Sequence, residues 1–147
     1  MLKEMIEELD SGLAYESHDI SNKKIIIRVK TKEKDKRCPY CGKVSKKVYS
    51  KYKRIIQDLP IQGKTVLIEV DSKKMFCKNP ECDKKTFVEV IACAEPKSRQ
   101  SRRLEEKILD ISKQVSSITA SEILRGMGIK IGKSSICELL KKNRDPN

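Results

Sequence analysis

The order of apolar and polar positions divides the chain into two kinds of text. Leu2, Met5, Ile6 and Leu9 recur at helical spacing, which predicts a short helix over Met1 to Leu9. Strand patterns follow. Ile25 to Val29 is one, and Val44 to Ile56 is a second that mixes Val, Tyr and Ile with Lys and Arg. Asp58-Leu59-Pro60 is expected to end it, and Gln62-Gly63 to make a turn. Thr65 to Val70 then sets Val66, Ile68 and Val70 on one face, Lys73 to Phe76 continues the sheet, and Thr86 to Ala92 reads as a closing strand. Residues 94–103 are polar without periodicity and read as a basic linker.

Beyond the linker the period changes from two to 3.6. Leu104, Ile108, Ile111 and Val115 mark one helix face. Thr119-Ala120-Ser121-Glu122 reads as a capping box, followed by the stripe Ala120, Ile123, Leu124 and Met127. Gly126-Met127-Gly128 breaks that helix. Ser135 to Glu138 is expected to cap a third, with Ile136, Leu139 and Leu140 inward. Three short helices with a Gly-bearing turn before the last predict a helix-turn-helix, although the turn from Gly126 to Lys133 exceeds the usual three or four residues. The expected boundaries are an acidic segment 1–22, a ribbon domain 23–93, the linker 94–103 and a helical domain 104–147.

Six cysteines punctuate this pattern, at 38, 41, 77, 82, 93 and 137. Four form two close pairs, Cys38-Pro39-Tyr40-Cys41-Gly42 and Cys77-Lys78-Asn79-Pro80-Glu81-Cys82. Either gap lets one tight turn present two thiolates to the same ion. Zinc suits four thiolates because it is tetrahedral, borderline-soft and redox-inert, and four protein ligands leave no position open for water. The expectation is one structural Zn²⁺ on Cys38, Cys41, Cys77 and Cys82, closing a four-cysteine zinc ribbon with a small antiparallel sheet. A disulfide framework would need a secreted chain, and a redox pair would need a βαβ setting. Cys93 and Cys137 sit among apolar residues and are expected as buried hydrophobes. His18, the one histidine, lacks ligand spacing and is expected in an exposed loop. The fold class is α+β, a ribbon followed by a three-helix unit.

Charge narrows the function. The chain of 147 residues carries 33 Lys plus Arg against 21 Asp plus Glu, a formal charge of +12. Residues 1–22 hold six acids and one Lys, whereas residues 43–54 hold six bases and no acid. Further bases gather at 23–37, 97–103 and 125–144. Clusters of this kind favour a surface that tracks phosphates. No apolar run approaches the ~18–20 residues of a membrane span, and the start lacks a signal peptide's apolar stretch. Neither a membrane nor a secreted location is expected, and no small-molecule substrate.

With these motifs together, the run Cys38 to Gly42, Tyr49-Ser50-Lys51-Tyr52 and Asp58-Leu59-Pro60 resembles the N-terminal zinc-finger region of bacterial insertion-sequence transposases of the ISL-three group. Val66 to Val70, Phe76-Cys77 with Asn79 to Cys82, and Thr86-Phe87 continue the resemblance, which spans roughly residues 25–143. It implies binding to the terminal inverted repeats of a mobile element, with cutting and joining left to a separate DDE domain. A bacterial cytoplasmic, nucleoid-associated location is expected only from this family resemblance. No stretch of that kind follows Asn147, so an N-terminal region or truncated product without catalysis is expected. The expected partner is double-stranded DNA, and a homodimer is left open. Candidate contacts in the ribbon are Lys47, Lys51 and Lys53 on one strand face, with Tyr49, and Lys46 and Arg54 on the other, with Tyr52. The linker offers Arg99, Arg102 and Arg103. The third helix offers Lys133, Ser134, Glu138, Lys141 and Lys142 to phosphates or base edges. Rival readings are a protein-interaction or dimerisation module and a standalone transcription regulator.

Overall fold

A computed structural model describes residues 1–32 and 36–143. The chain runs α1 (Leu2–Leu9), β1 (Leu13–Ile20), β2 (Lys24–Thr31), β3 (Lys36–Arg37), β4 (Val44–Ser45), β5 (Val48–Ile61), β6 (Lys64–Phe76) and β7 (Thr86–Val88). It continues through α2 (Arg102–Ser112), α3 (Ser117–Gly126) and α4 (Lys133–Lys142). A mixed sheet carrying the cysteine pairs is thus followed by a three-helix unit.

The main sheet has the order β1-β2-β6-β5, with β7 also on β6, and β3 and β4 form a separate two-stranded sheet. Alternation drives the burial: Ile25, Ile27 and Val29 of β2 lie opposite Val66, Ile68 and Val70 of β6, and all six are buried. Leu2 and Ile6 of α1 cover this face together with Ile91, Cys93 and Ala94. The β2–β6 pairing is parallel, where the sequence pattern predicts an antiparallel ribbon. Side-chain alternation is the same in both arrangements, so the pattern does not encode strand direction; a parallel partner requires a long crossover. Here that crossover contains the first cysteine pair and β5.

Residues 1–22 belong to this sheet unit. Strand β1 pairs antiparallel with β2 from Leu13↔Thr31 to Ile20↔Ile25. Its outer half is exposed, which removes the alternation that would have announced it. His18 lies on this exposed strand and not in a loop. Buried Asp10 accepts hydrogen bonds from the Gly12 N–H (2.9 Å) and the Cys93 N–H (3.1 Å), tying the end of α1 to the stretch that follows β7.

Strands β5 and β6 form a long hairpin. Gln62 and Gly63 both have positive φ (51° and 75°), as a two-residue type I′ turn requires. Strand β5 does not stop at Asp58-Leu59-Pro60 but runs on to Ile61. A register shift between Asp58 and Ile61 accommodates the proline, which has no N–H to give to a regular ladder. The closing strand is shorter than the pattern implies, ending at Val88.

The helices enclose a second core of Leu104, Ile108, Ala120, Leu124, Ile129, Ile131 and Ile136, with Leu59 of β5 packed against it. Ser101 caps α2, accepting from the Leu104 N–H. Ser116, and not Thr119, caps α3; its hydroxyl accepts from the Thr119 N–H at 3.2 Å, so the helix begins at Ser117. Helix α4 starts at Lys133 behind Gly132, with no side-chain cap, and not at Ser135. Helix α3 ends in a Schellman motif, with Ile129 N–H on Leu124 O (2.9 Å) and Gly128 N–H on Arg125 O (3.1 Å). Val115 lies outside α2 and is exposed.

Candidate metal centre and nucleic-acid interface

Two tight turns bring the cysteine pairs together. The first lies between β3 and β4, where the Gly42 N–H bonds to Cys38 O (2.8 Å) and the Cys38 N–H to Lys43 O (3.0 Å). The second lies between β6 and β7, where Asn79 Oδ1 accepts from the Glu81 N–H (3.0 Å) and Asn79 O from the Cys82 N–H (3.1 Å). The Sγ atoms of Cys38, Cys41, Cys77 and Cys82 all lie within 4.8 Å of one another. Cys38 and Cys82 are 3.9 Å apart, Cys41 and Cys77 3.6 Å. A tetrahedron with Zn–S of ~2.3 Å has edges of about 3.8 Å, which these separations match. The four sulfurs form a structural metal site of the zinc type.

The protein supports thiolate at this site through its backbone. The N–H groups of Lys43, Asn79 and Lys84 point at the sulfurs of Cys41, Cys77 and Cys82. The Lys43 N–H is the main influence drawing Cys41 down to about 6. For Cys77 the Asn79 N–H acts in the same sense, but desolvation and the crowded neighbouring sulfurs push it up to about 12. Four thiols this close do not all ionise without a cation between them. Met75 and Phe87 pack beneath the site. Cys93 and Cys137 lie outside it, the first buried and the second half-buried.

The candidate DNA contacts differ in their surroundings. Lys46 and Lys47 are exposed between β4 and β5, with Lys47 Nζ 5.1 Å from the centre of the Phe76 ring. Tyr49 packs edge-on against the same ring at 5.0 Å, so its ring serves the sheet surface. Lys51 is exposed, and Lys53 pairs with Glu69 at 3.0 Å. Arg54 turns inward and donates to Glu95 O (2.6 Å) and Ser98 O (3.0 Å). Arg102 pairs with Glu95, and Arg103 forms a two-pronged pair with Asp58 that holds its guanidinium above the ordinary value. Arg102 and Arg103 belong to α2, whereas the Arg99 side chain has no hydrogen bond or ion pair among the described residues. Lys133, Ser134, Glu138, Lys141 and Lys142 are all exposed on α4.

Residues 34–82 match a known family, the zinc-finger of transposase IS204/IS1001/IS1096/IS1165. That part of the chain is a four-cysteine zinc ribbon similar to this transposase zinc finger. No curated protein and no solved structure matches the chain. The match includes all of β5 and β6 and stops short of the last three helices. No helix among the described residues is long and apolar enough to cross a membrane.

The transposase-type ribbon and the helices are joined by residues whose sequence context gave no sign of this role. Buried Gln57 donates from its amide to Lys130 O (2.8 Å) and accepts from the Lys130 N–H (2.7 Å), as a strand partner would. Its own backbone pairs with the 94–103 stretch, taking the Ser101 N–H (2.9 Å) and giving its N–H to Arg99 O (2.7 Å). Buried Asp58 receives the Ser101 hydroxyl (2.7 Å) as well as Arg103. Thr65 Oγ1 donates to Gly128 O at 2.7 Å. The 94–103 stretch is therefore pinned along the β5 edge. Gln57 stands on the strand face opposite core residue Ile56, where a polar side chain reads as solvent-facing, so the alternation hid its partner.

Proposed function

We propose that this chain binds double-stranded DNA sequence-specifically and recognises the terminal inverted repeats of an insertion element. The match of residues 34–82 to a transposase zinc finger carries the reading. The exposed Lys133, Ser134, Glu138, Lys141 and Lys142 of α4 support it, since a third helix after a turn is the element that enters a major groove. In this reading the chain works on DNA in the bacterial cytoplasm and neither cuts nor joins strands.

The test is selection of bound sequences from a random duplex pool at physiological salt, followed by salt titrations on selected and scrambled duplexes. Ser134→Ala or Lys133→Ala should cost about 1–3 kcal/mol on the selected sequence and little on scrambled DNA. Lys51→Ala should weaken binding to both and reduce the salt slope by about one. Failure to enrich any sequence, or helix variants that leave the selected-to-scrambled ratio unchanged, refutes the assignment.

One observation favours a second reading. Tyr40 and Val90 stand 62% and 68% exposed beside the first cysteine turn, an apolar surface suited to a protein partner or a second copy. Binding of such a partner would show little salt dependence, in contrast to DNA.

A further inference from the structure

A cleft of about 840 Å³ opens between the β5 edge and the start of α4. Four cations line it from four different parts of the chain: Lys53 on β5, Arg99 in the 94–103 stretch, Arg125 on α3 and Lys130 in the α3–α4 turn. Among the described residues no carboxylate lines it. Lys53 reaches Glu69, but Arg99, Arg125 and Lys130 are exposed and have no ion pair among the described residues. Cations gathered in one concavity repel one another and raise the local positive potential, a cost relieved when an anion enters.

The placement of these groups is fixed. The Gln57 side chain grips both backbone groups of Lys130, so the Lys130 stem departs from a point tied to the sheet. The Arg99 carbonyl is held by the Gln57 N–H. The same residue thus positions two cations from opposite walls. No aromatic ring lines the cleft, so nothing there stacks a base, while Ile55, Leu67 and Ile131 give it an apolar floor. Charge without a stacking platform fits a sugar–phosphate backbone and not a free nucleotide.

We propose that this cleft holds the phosphodiester backbone of duplex DNA, with Arg99, Arg125 and Lys130 as phosphate ligands, so that sheet and helices grip the duplex together. The inference rests on the DNA-binding reading and deepens it: Arg125 and Lys130 lie outside the ribbon, the linker and the outer face of α4.

The test uses the full zinc-loaded chain and a random-sequence duplex, with affinity measured against salt. Arg125→Ala and Lys130→Ala should each lower the slope of log K against log[salt] by about one, because each lost phosphate contact releases about one counterion fewer. Arg125→Lys should keep the wild-type slope. Lys107→Ala, an exposed α2 residue outside the cleft, should leave it unchanged. Circular dichroism spectra matching the wild type establish that the variants fold. Wild-type slopes in both alanine variants, with the wild-type chain binding duplex, overturn the cleft and leave the DNA reading standing. An equal loss in Lys107→Ala also overturns it, since any surface charge would then do. A wild-type chain that binds no duplex overturns both.

Discussion

Gly128 sits at the closest approach of the helical unit to the sheet, and replacing it with alanine tests how the two are joined. Its φ is +94°, a conformation an L side chain resists. A Cβ there would lie 2.7 Å from the Gly63 carbonyl oxygen, 3.1 Å from its carbon and 3.3 Å from Pro60 Cβ. The oxygen belongs to the backbone of a two-residue turn and has no rotamer by which to move aside. Two costs follow. The positive φ costs roughly 1–2 kcal/mol for a residue with a Cβ. Relief of the clash draws the α3–α4 turn away from the hairpin tip, stretching the Thr65–Gly128 bond and the two Gln57–Lys130 bonds. Such bonds contribute about 0.5–1.5 kcal/mol each, so with all three broken a loss of about 2.5–6.5 kcal/mol is expected. Gly126→Ala is the control, since nothing lies within 4 Å of its Cβ and it has no positive φ. In the last turn of α3 that change should stabilise by about 0.5–1 kcal/mol. Urea unfolding of the zinc-loaded chain, followed by far-UV circular dichroism, measures both. If Gly128→Ala unfolds at the wild-type midpoint, the described contact between hairpin tip and helical turn is not one the protein depends on.

Two further outcomes are expected. Elemental analysis should find one zinc per chain in the wild type and none in Cys41→Ser; the variant should lose the structure around both cysteine turns and retain the helical core, and undiminished zinc in the variant would contradict the ligand set. In the zinc-loaded chain, iodoacetamide between pH 7 and 9 should modify half-buried Cys137 and spare Cys93, as mass spectrometry of the peptides would show. Burial first, then the charges of Asp10 and Asp58, push the Cys93 thiol up to about 12, so its reactive thiolate stays scarce over that range. Labelling of Cys93 at the rate of Cys137 would contradict its burial.

The parts of the fold that were legible in the sequence are those where one local period meets one buried face. Val66, Ile68 and Val70 alternate, and Leu104 and Ile108 recur a helical turn apart, because each set faces a single core. The cysteine turns were legible for a chemical reason, since metal geometry restricts ligand spacing. What was not legible depends on distant partners. Strand β1 lacks alternation because both of its faces meet solvent from Glu16 to Ile20, and β2 carries no mark of the direction of its neighbour. Pro60 reads as a terminator until the register shift beside it is seen. Ser116 takes the cap assigned to Thr119 because two adjacent serines and a threonine all offer hydroxyls, and helix length decides among them. Arg102, Arg103 and Arg54 looked like free charge, yet their partners Glu95, Asp58 and Ser98 lie up to 45 residues away in sequence. Arg125 and Lys130 belong to the basic stretch 125–144, but nothing in the sequence sets them beside Arg99, which they meet only across the folded cleft.

The β5–β6 hairpin is anchored at both ends, by the cysteine turns beyond Phe76 and by the helical unit at Gln62-Gly63. This makes it a ruler. The 13 residues of β6 span about 40 Å at ~3.3 Å per residue. One turn of duplex measures about 34–36 Å. In the proposed complex, contacts made at the two ends fall about one turn apart, and the residue count of the hairpin sets their phase. Two residues added to each strand would preserve which side chains face inward while moving the ends about 7 Å further apart. That is roughly two base pairs, enough to carry one contact well around the duplex from the other. A chain lengthened in this way would keep its fold and its chemistry and lose its match to a site of fixed spacing.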